Sequence, residues 1–96
     1  MFKVESVTPQ SIQAILDDAT KEFTHTNDKL TTVVVVLKSG FIMTGESFCA
    51  NPEYFDKDKG EEYSLDKVRD KLWELENYRY ASEVLRQIKQ SYQGGN

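Results

Sequence analysis

Two apolar stripes of helical period run through the last third of the chain, and they do not share a face. Leu65, Val68, Leu72 and Leu75 align at about 100° per residue. Downstream, Tyr78, Ala81, Leu85, Ile88 and Tyr92 align again. On one straight helix the second stripe lies about 140° around from the first. One core cannot bury both. Either the helix breaks near Asn77, a residue that tolerates the left-handed conformation past a helix end, or the last segment projects and buries its stripe on another subunit. The second outcome makes the chain a homo-oligomer, with a dimer as the expected form. Tyr78, Ala81, Leu85, Ile88 and Tyr92 are then its candidate interface.

The chain's 96 residues allow one domain and one modest core. Thr8-Pro9 opens a first helix: Thr caps, and Pro suits the first turn because its missing N–H costs nothing there. Ile12, Ile15, Leu16 and Ala19 give that helix one apolar face, with an end expected near Ala19 or Thr20. Residues 21–26 are rich in Phe and Thr and read as a short strand. Thr26-Asn27-Asp28-Lys29 has turn chemistry. Residues 30–38 carry a dense β-branched run, apolar on both faces, which implies cover on both sides at least in part. Ser39-Gly40 turns the chain, and residues 41–50 return as an antiparallel strand. Gly45 within it marks a bulge or a close backbone approach. Asn51-Pro52-Glu53 starts a short helical turn, Lys57-Asp58-Lys59-Gly60 reads as a loop, and a long helical pattern begins at about Glu61. The expected fold is α+β: an N-terminal helix, an antiparallel hairpin or three-stranded sheet, a short helix, and a long or broken C-terminal helix. Residues 1–92 form the domain and residues 93–96 a frayed tail. The helices should cover one sheet face, leaving the other to a partner.

Charge narrows the function. A net charge of −4 and a pI near 4.9 disfavour a nucleic acid polymer or an anionic membrane as partner, since both need a basic footprint. A lone Cys49, with no long apolar run and no signal-like start, fits an intracellular setting. No P-loop or dinucleotide fingerprint appears. Asp56-x-Asp58-x-Gly60 fails as a calcium loop: Gly60 stands where an oxygen ligand belongs and Lys67 where the bidentate Glu belongs. One Cys and one His do not make a zinc site. Ser47 and Cys49 lie between a strand and a helix start, as in a nucleophile elbow, but the second glycine is missing. Catalysis there requires strand pairing to bring His25 beside one of them. No cofactor, metal or catalytic set is therefore expected. Glu62, Asp66, Asp70 and Glu74 form an acidic row at i, i+4 spacing, with Trp73 inside it. A charge row is ordinarily a solvated face. Trp73 is the exception, expected to be mostly buried, either against the Tyr78–Tyr92 segment or across a subunit contact, and these five residues are the candidate binding surface.

Gly45-Glu46-Ser47-x-Cys49-Ala50-x-Pro52-Glu53-x-Phe55-Asp56, then Gly60, then Lys71-Leu72-Trp73-Glu74-Leu75-Glu76-x-Tyr78 resemble a small phage-protein family. The family is named for gene forty-nine of coliphage N-four and gene sixty-six of Shigella phage Sf-six. The resemblance runs from about Leu30 to Tyr78, and the Thr8-Pro9 helix also fits. Phe48 stands where that family has a small residue, Val68 where it has Ala, and Asn77 where it has Gly. The resemblance implies a phage gene product acting in the cytoplasm of an infected bacterium, with no activity attached. It favours a non-enzymatic accessory protein that binds a host or phage macromolecule, as in counter-defence. The alternatives are an oligomeric sponge for a host-defence nucleotide signal and a small Ser/Cys hydrolase.

Overall fold

A computed structural model describes the backbone of residues 6–94 and the side chains of residues 6–91. The first helix, α1, spans Pro9–Asp17. Thr8 Oγ1 accepts from the Ser11 N–H at 3.1 Å, and Ser11 Oγ accepts from the Thr8 N–H at 2.9 Å. This is a reciprocal capping box. The helix stops two residues short of Ala19, where Asp17 and Asp18 oppose the negative end of its dipole. Its apolar face buries Ile12 and Leu16 almost completely.

Three antiparallel strands follow in the order β1-β2-β3: β1 Thr20–Thr26, β2 Leu30–Val36 and β3 Ile42–Phe48. Asn27 and Asp28 join the first two with φ of 54° and 51°. Positive φ at both central residues is what a type I′ turn demands, and Asn and Asp tolerate it best after glycine. Gly40, at φ 93°, serves the second connection. Thr31, Val33 and Val35 of β2 are fully buried under the helices. The alternate positions Leu30, Thr32, Val34 and Val36 face the other way and are half-buried. Among the described residues, helices cover only that first face. On the second, Ile42 and Phe48 are 60% and 69% exposed, so within one chain the expected two-sided cover is one-sided.

The last helix, α2, runs unbroken over Lys57–Gly94, 38 residues. It begins four residues earlier than the apolar period indicates. Asp56 Oδ1 accepts from the N–H groups of Asp58 (3.0 Å) and Lys59 (3.2 Å), satisfying two of the free donors at the helix start. Lys57–Gly60 is therefore the first helical turn and not a loop. No break occurs at Asn77, whose side-chain N–H donates to the Trp73 carbonyl at 2.8 Å. The expected frayed segment is helical as far as Gly94, and residues 95–96 lie outside the described residues.

The face of α2 that meets the sheet is also not the one hydrophobicity picks out. Gly60, Ser64, Val68 and Leu72, an i, i+4 row, are the buried positions. Leu65 is half-buried, and Leu75 is 44% exposed. Small residues set this row because the backbones nearly touch. A Cβ on Gly45 would stand 2.2 Å from the Ser64 carbonyl oxygen. A Cβ on Gly60 would stand 2.4 Å from Thr31 Oγ1. Gly45 thus marks the close approach, and its strand pairs in continuous register from Ile42 to Phe48. Ser64, fully buried, donates its hydroxyl to the Glu61 carbonyl at 2.9 Å.

Beyond Glu76 the helix leaves the body. The longest dimension is 67 Å against 21 and 18 Å. The radius of gyration is 18.1 Å, where a compact chain of this length has about 12.5 Å. Overpacking typically costs about 1–3 kcal/mol. Gly45→Ala should reach the top of that range, because the obstruction is helix backbone and no side chain can give way. Gly60→Ala should cost less, and adding Thr31→Ala should recover part of the loss. Urea unfolding followed by circular dichroism measures both.

Candidate functional site

Ser47, Thr31 and His25 are cross-strand partners on β3, β2 and β1, in one row on the helix-facing side of the sheet. Strand pairing does align His25 with Ser47, but β2 stands between them. Two strand spacings separate the pair by about 10 Å, too far for direct proton transfer. His25 instead places Nδ1 3.1 Å from Thr31 Oγ1 and Nε2 2.8 Å from Glu61 Oε2. Its ring meets Phe55 edge-on at 5.8 Å. The Cys49 thiol donates to the Asn51 carbonyl at 3.2 Å. Neither nucleophile candidate is seated on a base. Thr31, the hydroxyl that does touch the histidine, is fully buried beneath Gly60.

A cleft of about 190 Å³ opens here, between the sheet end and the start of α2. Ser47 and Cys49 lie on its floor side, Tyr54 and Tyr63 wall it, and Lys29 and Lys59 add two amines. The His25–Glu61 pair, 36 residues apart in sequence, was not legible from spacing. Starting the helix at Lys57 would have placed Glu61 in the second turn, next to the sheet.

The acidic row lies on the side of α2 away from the sheet. Glu62, Asp66, Asp70 and Glu74 are all exposed. Asp66 pairs with Arg69, whose other arm reaches Gln13 Oε1 on α1 at 3.2 Å. Lys71 turns away from the row and donates to the Thr44 carbonyl on the β3 edge at 2.8 Å. Trp73 is 38% exposed. Of the two expected covers, packing against the Tyr78–Tyr92 segment is corrected, because α2 continues without a break through Asn77; Trp73 points about 100° away from Leu72 around the helix.

The downstream stripe is uncovered. Tyr78 is 74% exposed, Leu85 52% and Ile88 37%, and Ala81 is exposed. The side chain of Tyr92 lies outside the described residues. Two Arg–Glu pairs at i, i+3 spacing brace this projecting segment, Arg79–Glu76 at 3.2 Å and Arg86–Glu83. Arg86 holds the Glu83 carboxyl below the usual carboxylate range. No helix among the described residues is long and apolar enough to cross a membrane.

His25 ties β1 to α2, so its role in this geometry is a pin. His25→Ala should lower stability by about 1–2 kcal/mol, the cost of one lost polar link that leaves a partly buried acceptor. Cys49→Ser should change it by less than about 0.5 kcal/mol. Thermal melts of the two variants against wild type test the contrast.

No curated protein and no solved structure matches this chain. A family model matches residues 7–84, which takes in α1, the whole sheet and α2 as far as Val84. The chain belongs to the Phage protein (N4 Gp49/phage Sf6 gene 66) family.

Proposed function

We propose that the chain is a non-enzymatic phage accessory protein that works in the cytoplasm of the infected bacterium. It binds a host or phage macromolecule and redirects or blocks it, as a counter-defence protein does. The observation that carries this reading is Trp73, set 38% exposed among Glu62, Asp66, Asp70 and Glu74 on the solvent side of α2. An aromatic of this kind is the residue type most enriched at binding hot spots. An acidic surround selects a basic partner surface and speeds encounter with it. The same acids repel nucleic acid phosphates. The projecting stripe supports a second element of the reading: the working form is a homodimer.

A nucleotide sponge has one observation in its favour, the cleft with Lys29, Lys59, Tyr54 and Tyr63. Two amines and two aromatic walls suit a base and a phosphate. Size weighs against it, since ligand pockets usually run to about 300–1,000 Å³ and this one holds about 190 Å³. Ultraviolet absorbance near 260 nm co-purifying with the protein would reverse that order.

The test is affinity purification of the tagged chain from infected cells, in parallel with Trp73→Ala and Asp70→Lys. The expected result is a protein partner retained by wild type and lost by both variants, with melting temperatures unchanged. Equal retention by the variants would move the contact to another surface. Acylation of Ser47 or Cys49 by an activity probe, with turnover, would replace the reading by a hydrolase. In the free protein, Trp73 fluorescence should be quenched readily by acrylamide. Trp73→Ala should cost about 1 kcal/mol or less, as a surface substitution does, and not the 3–5 kcal/mol or so of a buried aromatic.

A further inference from the structure

The stripe on the projecting helix has the 3-4-3-4 spacing of a coiled-coil seam, Tyr78, Ala81, Leu85, Ile88 and Tyr92. Followed backwards, the same spacing reaches Glu74 and Lys71. Those two residues, with Leu75, line an open groove of about 570 Å³ between α2 and the β3 edge. Across that groove stand Phe41 and Ile42, 54% and 60% exposed. The seam and the groove are therefore one continuous surface, apolar in its projecting part and along the Phe41–Ile42–Leu75 flank.

We infer that the occupant of this surface is α2 of a second copy of this chain, laid antiparallel, so that the C-terminal end of each helix lies along the other's groove. This rests on the dimer element of the proposed function and deepens it by fixing the orientation and the second contact. Area argues for it first. A stable interface engages about 20–30 residues a side, whereas two heptads offer about nine at the seam and its flanks. A parallel pair stops at those two heptads. An antiparallel pair centred near residue 83 overlaps from position 72 onward on both copies and adds Phe41, Ile42 and Leu75 of each.

Charge argues for it second. Around the groove, α2 carries Asp70, Glu74 and Glu76 against Lys71 alone. From Val84 to Gly94 it carries Arg86 and Lys89 and no acid. Antiparallel pairing lays the basic end of one helix over the acidic stretch of the other, and brings Lys89 of one copy level with Asn77 of its mate, within one helical turn of Leu75 and Glu74. A parallel pair sets like against like. Trp73 itself stays open, about 110° around the helix from the seam, while Glu74 of its acidic surround lies on the seam.

Oxidative crosslinking in a Cys49→Ser background tests the orientation. Tyr78→Cys and Ile88→Cys proteins, mixed, should form a disulfide between the two variants, and each alone should remain largely unlinked. Leu75→Lys should raise the dimer dissociation constant at least tenfold, by placing like charge beside Lys89, with helicity unchanged. Efficient self-linking of Ile88→Cys would overturn the antiparallel arrangement while the dimer reading stands. A dimer indifferent to Leu85→Asp would move the contact to another face, such as the open side of the sheet, and overturn the inference. A monomer by light scattering at high micromolar concentration would overturn both.

Discussion

The contact between Gly45 and Ser64 sets the geometry of the rest. A strand backbone and a helix backbone come so close that a single added methyl would overlap the Ser64 carbonyl oxygen. A second tight point, Gly60 against Thr31, lies one helical turn earlier. Two such points on one helix define its line across the sheet and leave little freedom to tilt or slide. Val68 and Leu72 then fall over Val33, Val35 and Met43, and α1 closes the side with Ile12 and Leu16. Among the described residues the core is these seven with a partly buried rim. A core so small has little room for error in how its one long helix is seated.

That seating explains the two faces left over. Because the buried row is Gly60, Ser64, Val68 and Leu72, Leu75 is rotated out toward the β3 edge and Trp73 out toward solvent. Neither placement follows from hydrophobicity, which prefers a row containing Leu65 and Leu75. Had the helix been seated on those leucines, the groove beside Phe41 and Ile42 would be filled. The small residues at the contact therefore create the apolar surface that the body itself does not use.

The strands, the turns and the cap of α1 are legible in residue type alone. Thr8-Pro9, Asn27-Asp28 and Gly40 do in the structure what their backbone preferences dictate. Gly45 was legible as one of two options, and the structure takes the close approach. The continuous helix also follows from one of the two outcomes that the out-of-phase stripes allow. What was not legible is the part that depends on absent atoms. Glycine and serine carry no hydrophobic signal, so the contact row, and with it the first turn from Lys57 to Gly60, looked like a loop and a solvated helix edge. The His25–Glu61 pair was hidden for a related reason: only the seated helix brings Glu61 over β1. Trp73 cannot fold back on the Tyr78–Tyr92 segment because the helix does not break, so within one chain it stays 38% exposed.

A helix that leaves its domain uncovered is costly to keep formed. Isolated helices of fewer than about 12–15 residues are marginal in water, and most helix stability in proteins comes from packing an apolar face. Among the described side chains from Tyr78 to Ser91, the stripe residues Tyr78, Ala81, Leu85 and Ile88 are exposed, and the i, i+3 Arg–Glu pairs each contribute only a few tenths of a kcal/mol or so. A segment that needs no cover would carry polar residues at Tyr78, Leu85 and Ile88. These positions keep apolar side chains at coiled-coil spacing, at the basic end of a helix whose other end is acidic. In the proposed dimer, helix formation and association would be one equilibrium, the partner helix supplying the packing that the free helix lacks. Glu74 would lie on that seam, while Trp73, with Glu62 and Asp66, would lie off it. A dimer would present two such surfaces, and a partner with two matching sites would be held with an effective concentration that one chain alone cannot supply.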